Sequence, residues 1–281
     1  MPQTIEKLLD RAAARLDATS ESPRLDAELL LAQLLGKSRT QLRTRPDLEI
    51  DDTDQRAFEG LLMARLQGAP LAYLAGEREF WSLPFRLSRA TLIPRPETES
   101  LVEAALACIP PDQAWRIADL GTGSGIVAAA IASERLLCRI TATDLDQAAL
   151  DIAGENAARL GLGNIEFRCG SWYQPLDGLK FNLIVSNPPY IREGDPHLDQ
   201  GDVRFEPRRA LVSGTDGLDA IRLIVENAPA HLQPGGWLLL EHGYDQAEAV
   251  RVLFHARHFM EVRSIRDLSG HERVTLGQLP E

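Results

Sequence analysis

The residues of this sequence that most clearly suit a chemical role are the four at Asn187-Pro188-Pro189-Tyr190. Each proline fixes its own φ angle and restricts the residue before it, so this corner is predicted to be stiff. The Asn187 side-chain oxygen and the Pro188 carbonyl are both hydrogen-bond acceptors, while Tyr190 offers an aromatic face for stacking. Two fixed acceptors suit a planar –NH₂ group, whose nitrogen lone pair they would aim out of the plane toward an incoming carbon. The pattern therefore indicates catalysis by orientation; a strand that simply ends in a Pro-Pro turn is the alternative.

A glycine-rich turn lies earlier in the chain, between a predicted strand and a predicted helix. Glycines let the backbone turn sharply and approach a ligand closely, and the helix that follows presents unpaired N–H groups. In a doubly wound sheet, ligands bind at the carboxyl ends of the strands, which is where this turn is expected. Asp144 ends the next predicted strand, 19 residues after the turn, and its carboxylate could accept both hydroxyl hydrogens of a ribose. The turn comprises Gly121, Thr122, Gly123, Ser124 and Gly125.

The spacing of this turn discriminates between two nucleoside ligands. The order is GxGxG, with Ile126 at the position where a GxGxxG pyrophosphate fingerprint would be judged. Asp119, two residues before Gly121, would repel a pyrophosphate but would suit a cation. S-adenosylmethionine carries an ammonium, a sulfonium and a ribose, and it has no phosphate. The turn therefore favours S-adenosylmethionine over a nicotinamide dinucleotide, and a glycine-rich turn without a ligand is the alternative.

The secondary-structure elements that must position these residues predict an α/β fold. From residue 115 onward, short apolar runs alternate with amphipathic stretches of helical spacing, which predicts a doubly wound, mostly parallel, seven-stranded sheet. The last two runs have no helix between them, so they predict an antiparallel pair at one edge. The predicted strands lie within 115–121, 138–146, 164–170, 181–190, 235–243, 259–268 and 272–279.

The first hundred residues are organised differently. Residues 1–80 place Leu, Ile and Ala three and four apart, which predicts a small N-terminal helical bundle that docks a partner and carries no chemistry. Residues 81–100 contain three prolines and predict a hairpin or an extended linker, and residues 101–281 form the second domain. Within that domain, the polar stretch 191–219 is long for a connection and is predicted to face the substrate. Whether its arginines (Arg204, Arg208 and Arg209) meet an acidic partner or are merely solvated stays open.

Composition excludes several classes of protein. The formal charge is 30 − 41 = −11, which disfavours a duplex nucleic acid as the partner. No run of 18 apolar residues occurs, the N-terminus lacks a secretory signal, and the three cysteines are dispersed. We therefore expect a cytoplasmic protein with no membrane contact, no direct contact with nucleic acid and no disulfide framework. A monomer is expected, but the sequence does not fix the oligomeric state. The six histidines form no ligand set, so no metal is expected.

Six motifs, taken in order, resemble one known family over nearly the whole chain. The Asn187 corner alone is shared with DNA adenine-N6 methyltransferases, but the full set is similar to the HemK/PrmC family, the N5-glutamine methyltransferases of peptide chain release factors. The motifs are PLAYLAGEREFWSLPFRLSRATLIPRPETESLV (70–102), ADLGTGSG (118–125), SNPPYI (186–191), EPRRALVSGTDGL (206–218), LLLEHG (238–243) and DLSGHERV (267–274).

This resemblance implies an activity. It implies the class I methyltransferase fold with S-adenosylmethionine as methyl donor. The acceptor would be the side-chain amide of the glutamine in the Gly-Gly-Gln motif of class I release factors, so that methylation tunes translation termination. A methyltransferase acting on nucleic-acid adenine or on another amino group is the runner-up; a nicotinamide-dependent oxidoreductase and a catalytically dead adaptor are less favoured.

The resemblance also implies residue roles. The turn from Gly121 to Gly125 would hold the methionine part of the donor, Asp144 the ribose, and Trp172 would lie near the adenine. Asn187 would contact both donor and substrate. The substrate pocket would be completed by Pro188, Pro189 and Tyr190, with the stretch 93–97 lining the same cavity.

Overall fold

A computed structural model describes residues 3–281, and the chain divides into two compact units. The first unit comprises the described residues up to 77 together with 199–205, and the second comprises 78–198 and 206–281. The short segment 199–205, which belongs to the long polar stretch, thus groups with the N-terminal unit. The first two residues of the predicted bundle lie outside the described residues.

The first unit is helical, as its spacing predicts. Thr4 begins the first helix by accepting a hydrogen bond from Lys7 N (3.4 Å), and Pro23 begins the second. The predicted stop at Gly36 is confirmed, with the residue in the left-handed region at φ 60°. The apolar faces bury leucines such as Leu8 and Leu30 in one shared core. The elements are β1 (Gln3–Thr4), α1 (Ile5–Leu16), α2 (Pro23–Leu35), α3 (Arg39–Thr44), β2 (Glu49–Ile50), α4 (Asp52–Leu66) and α5 (Leu71–Ala75).

A short hairpin starts the second unit. It lies over 77–86 rather than wholly within the predicted 81–100, and its turn residues Trp81 and Ser82 both have positive φ, 54° and 57°. Such a turn usually carries Gly or Asn, so the sequence contained no signal for its position. The Trp81 backbone N–H donates to Glu99 Oε1 (2.9 Å), which holds the turn in place. The strands are β3 (Glu77–Phe80) and β4 (Leu83–Arg86).

The second unit is built on the predicted seven-stranded sheet, whose order is β10-β11-β9-β8-β5-β6-β7. Five strands pair in parallel, and the last strand pairs antiparallel with both of its neighbours. The predicted antiparallel pair at one edge is therefore confirmed. The strands are β5 (Arg116–Leu120), β6 (Arg139–Asp144), β7 (Ile165–Cys169), β8 (Phe181–Ser186), β9 (Leu232–Glu241), β10 (Met260–Arg266) and β11 (Glu272–Gln278).

Helices cover both faces of this sheet, so its central strands are apolar on both sides. Alternate residues of β5 show the two faces: Ile117 packs in one hydrophobic cluster, while Ala118 and Leu120 pack in the other. Within residues 3–281, no helix is both long enough and apolar enough to cross a bilayer. The helices of this unit are α6 (Glu99–Cys108), α7 (Ile126–Glu134), α8 (Gln147–Arg159), α9 (Asp219–His231) and α10 (Ala247–Ala256).

Candidate active site

A cleft opens at the carboxyl ends of four neighbouring strands of the second unit. The residues that follow β5, β6, β7 and β8 all contribute to its wall, on both sides of the point where the strand order reverses. This is the position at which open α/β sheets bind their ligands. The wall is formed by 90–92, 94–95, Thr98, Asp119, 121–124, 126–127, 144–146, 170–172, Asn187, Pro189 and 209–210.

The glycine turn has the left-handed backbone for which glycine is suited. Gly121, Gly123 and Gly125 have φ values of 71°, 57° and 82°. A Cβ at Gly121 would lie 3.3 Å from Trp172 Cζ3, and one at Gly125 would lie 3.0 Å from Ala153 Cβ of α8. Gly121 therefore lets the indole close against the turn, and Gly125 lets two helices approach. At Gly123 a Cβ would meet nothing within 4 Å, so that backbone faces open space.

Two carboxylates, those of Asp119 and Asp144, hold the glycine turn by hydrogen bonds. Asp119 is buried, and its Oδ2 accepts from Thr122 Oγ1 (2.6 Å) and from Ala128 N (3.2 Å). Burial raises the pKa of Asp119 to about 7, against the hydrogen bonds that lower it. Asp144 Oδ2 accepts from Gly123 N (2.9 Å), and its Oδ1 accepts from Asp146 N (2.9 Å). Both oxygens of Asp144 are thus fixed in direction before any ligand arrives.

The arginines in the wall are each paired with a carboxylate. Arg95 pairs with the buried Glu206, which also accepts from Ile93 N (3.0 Å), and Arg209 pairs with Asp146. Glu206 belongs to the long polar stretch 191–219 and thereby ties the 93–95 stretch to it. With these cations neutralised, the Asp144 carboxylate gives the wall a negative charge, which suits a positively charged ligand.

The Asn187 corner is held by hydrogen bonds on two sides. Asn187 Nδ2 donates to Thr98 Oγ1 (3.2 Å), so the nitrogen of this carboxamide already has a hydrogen-bond partner within the protein. Ser186 Oγ, at the end of the strand, donates to the Leu120 carbonyl (2.6 Å). Pro188 is buried, and Pro189 lines the cleft. The corner is therefore stiff through its contacts as well as its prolines.

Tyr190 does not line this cleft, and its stacking on the substrate stays a prediction. Its hydroxyl donates to Glu241 Oε1 (3.4 Å), its ring packs against the α9 side of the sheet, and it is absent from the cleft wall. Glu241 ends β9 with 1% of its surface exposed, and burial raises its pKa to about 7 against hydrogen bonds from Thr98 and Tyr190 and the charge of Arg273, which lower it. Tyr190 thus supports the corner from behind, anchored to a buried carboxyl group.

The corner is also supported by a glycine in the opposite loop. Gln246 Nε2 donates to the Tyr190 carbonyl (3.0 Å) and to the Asp216 carbonyl (3.3 Å). Next to Asp216, a Cβ on Gly217 would lie 2.3 Å from the Tyr190 carbonyl oxygen, so no side chain fits there.

We expect Gly217→Ala to lower the free energy of unfolding by roughly 2–4 kcal/mol, from left-handed strain plus overpacking against backbone. Gly194→Ala is the matched control, because Gly194 has the same φ of 79° and its Cβ would meet nothing within 4 Å. It should therefore cost only the backbone strain, about 1 kcal/mol. Chemical denaturation of the two variants measures the difference; equal losses would contradict the close contact.

Most residues predicted for the site meet in this one cleft. Gly125 begins α7, Pro188 is buried behind the corner and Tyr190 points to Glu241, so these three do not reach its wall. Of the predicted 93–97 stretch, only Pro94 and Arg95 line it. The predicted residues in the wall are Gly121, Thr122, Gly123, Ser124, Asp144, Trp172, Asn187 and Pro189.

Thr98 was missed in the sequence. Its position before an apolar helical stretch is typical of an N-cap, yet its side chain makes no capping bond and instead accepts from Asn187, 89 residues away. The one available signal was its place directly after the 93–97 stretch. Of the three arginines left open, Arg204 donates to the Gln67 carbonyl (3.2 Å) within the first unit, and Arg209 is paired with Asp146.

Comparison with known proteins covers both units. The family model described as the PrmC N-terminal domain matches residues 7–76, and the one described as the methyltransferase small domain matches 100–202. A release factor glutamine methyltransferase of Xylella fastidiosa is 52% identical over 263 residues, covering 94% of this chain and 96% of that protein. One from Vibrio cholerae is 50% identical over 284 residues, covering 99% and 98%.

A solved structure supports the fold of the second unit. The 16S rRNA N2 G1207 methyltransferase of T. thermophilus, in complex with AdoMet and guanosine, superposes with a TM-score of 0.53 at 17% identity. The match covers 72% of this chain and 49% of that one. At this identity the likeness concerns the fold alone.

Proposed function

Because this chain belongs to the release factor glutamine methyltransferase family, we propose that it methylates the N5 amide nitrogen of the glutamine in the Gly-Gly-Gln motif of class I release factors. S-adenosylmethionine is the proposed methyl donor. The observation that carries the proposal is the meeting of Asn187 with the glycine turn and Asp144 in one cleft of the second unit.

The donor set of the cleft fits S-adenosylmethionine. Asp144 presents two oriented oxygens toward ribose hydroxyls, and the open backbone at Gly123 leaves room for the methionine part. Trp172 lines the cleft beside Gly121 and is the proposed neighbour of the adenine. The acidic wall suits the cationic molecule, which when bound supplies a methyl group made electrophilic by its sulfonium.

On the acceptor side, the chain orients a weak nucleophile. Asn187 Oδ1, on the cleft wall, accepts one hydrogen of the substrate amide and so holds the amide plane across the direction of transfer. Acceptance of the other hydrogen by the Pro188 carbonyl stays a prediction, since Pro188 does not reach this wall. An amide nitrogen can lose its proton after methylation, so this arrangement needs no strong general base. Orientation of this kind supplies up to about 7–11 kcal/mol in favourable cases.

The proposed partner is a protein. The formal charge of −11 and the paired arginines of the cleft give a phosphate backbone little to bind. We expect the enzyme to act as a monomer, with the helical unit contributing to release factor docking. Its activity should therefore depend on the folded release factor and show little stimulation by nucleic acid.

Mass spectrometry of a treated release factor tests the proposal. With enzyme and S-adenosylmethionine, a class I release factor should gain one methyl group, and peptide fragmentation should place it on the side chain of the Gly-Gly-Gln glutamine. A release factor with asparagine at that position is the matched control, since its amide is one methylene shorter, and it should gain none. Methylation of another residue, or only of adenine-containing DNA offered in parallel, would overturn the proposal.

A further inference from the structure

The Asn187 carboxamide can orient a substrate only if its oxygen, and not its nitrogen, faces the acceptor. The two ends of a carboxamide have nearly the same shape, so something must select between the two orientations. In this structure the selection lies outside the corner itself. Asn187 Nδ2 donates to Thr98 Oγ1 at 3.2 Å, which turns Oδ1 to the other side of the amide group.

Thr98 can accept this bond only while its single proton points elsewhere. Glu241, a carboxyl group with 1% of its surface exposed, lies near enough for the Thr98 hydroxyl to lower the pKa of Glu241 against the effect of burial. The same carboxyl group receives the Tyr190 hydroxyl on Oε1 at 3.4 Å. Within residues 3–281, Glu241 Oε2 has no hydrogen-bond partner, so a proton bound there would leave Oε1 an acceptor.

We propose that Thr98 and Glu241 are positioning residues: the buried carboxyl group draws the Thr98 proton toward itself, and Thr98 then holds Asn187 with its oxygen presented to the cleft. Neither residue touches the reacting atoms in this scheme. Thr98 is 1% exposed and sits at the start of α6, while Glu241 ends β9, so two rigid elements set the orientation of the Asn187 amide. Two bonds in the structure frame this scheme: Asn187 donates to Thr98, and Tyr190 donates to Glu241 from the corner.

The test replaces Thr98 by residues that differ in one group. Thr98→Val keeps the shape and removes the hydroxyl, and Thr98→Ser keeps the hydroxyl and removes the methyl. We expect Thr98→Val to lower kcat for release factor methylation about 10- to 100-fold, the effect of losing a buried hydrogen bond to an aligned group. Thr98→Ser should recover most of that loss. The KM for the release factor and the Kd for S-adenosylhomocysteine should both stay within about threefold of wild type.

A double-mutant cycle separates positioning from a general structural role. In an Asn187→Ala background, Thr98→Val should lower kcat no further, because the group it orients is gone. Equal kcat for the valine and serine variants, or an undiminished loss in the Asn187→Ala background, would overturn the inference. If valine prevents folding, as a thermal melt would reveal, Thr98→Ala is compared with Thr98→Ser instead. Glu241→Gln should keep kcat near the wild-type value, because its amide oxygen can accept where Oε1 does, whereas Glu241→Leu, which removes both oxygens, should mimic Thr98→Val.

This inference rests on the proposed function, and the two fail differently. A folded wild-type enzyme that leaves the release factor glutamine unmodified overturns the proposed function. A wild-type enzyme that methylates it, together with a fully active Thr98→Val variant, overturns the positioning role alone.

Discussion

Asn187→Ala is expected to lower kcat for release factor methylation by roughly 10³-fold, or about 4 kcal/mol of transition-state stabilisation. The reason is geometric: alanine removes the acceptor that would hold the substrate amide, and the amide nitrogen is too weak a nucleophile to react without alignment. Donor binding should be nearly unchanged, because the contacts expected for the ribose and the methionine part come from Asp144 and the glycine turn. Single-turnover kinetics measures the first effect and calorimetry with S-adenosylhomocysteine the second.

The same strand provides the control for this variant. Asn182 lies five residues earlier on β8, at the opposite end of the sheet, where its Oδ1 accepts from Arg116 N (2.8 Å). Asn182→Ala also removes one carboxamide and one hydrogen bond, but far from the cleft, so it should leave kcat near wild type. A similar fall in kcat for both variants would mean that β8 stability, and not the Asn187 amide, is what matters.

Much of the fold is predictable because its signals are local. Apolar runs separated by helical spacing require parallel strands with covered faces, and the polar residues that end those runs must then meet at one edge of the sheet. This is why Gly121, Asp144 and Asn187 could be placed together from sequence. The strand order brings the three residues together, since β6 and β8 both lie beside β5.

What could not be predicted depends on contacts between distant residues. The Thr98–Asn187 bond spans 89 residues, and a threonine before a helix is ordinarily interpreted as a cap. The direction of the Tyr190 side chain depends on Glu241, 51 residues later, whose position at the end of β9 is visible in sequence but whose neighbours are not. The Trp81-Ser82 turn contains no glycine and is held by a hydrogen bond to Glu99. The residue that stabilises this turn therefore lies outside it, where a local sequence pattern does not reveal it.

Asp144→Ala is expected to weaken binding of S-adenosylhomocysteine roughly 100-fold, because each hydrogen bond from a ribose hydroxyl to a carboxylate is worth about 1.5–3 kcal/mol. Part of the loss should come from the protein itself, since Asp144 Oδ2 also accepts from Gly123 N and so fixes the turn. At saturating donor, kcat should fall much less than in Asn187→Ala. Calorimetry measures the affinity for S-adenosylhomocysteine, and turnover at saturating S-adenosylmethionine measures kcat.

The change of charge has to be separated from the loss of contact. Asp151 is exposed on α8, where it accepts from Gln147 Nε2 (2.9 Å), so Asp151→Ala removes the same charge from the surface of the same unit. Its donor affinity should stay at the wild-type value. The two cleft variants should then differ in what they lose: Asp144→Ala should lose donor affinity, and Asn187→Ala should lose turnover. Equal loss of donor affinity in Asp144→Ala and Asn187→Ala would contradict that division, because it would make Asn187 part of the donor's binding surface and not the group that aligns the acceptor.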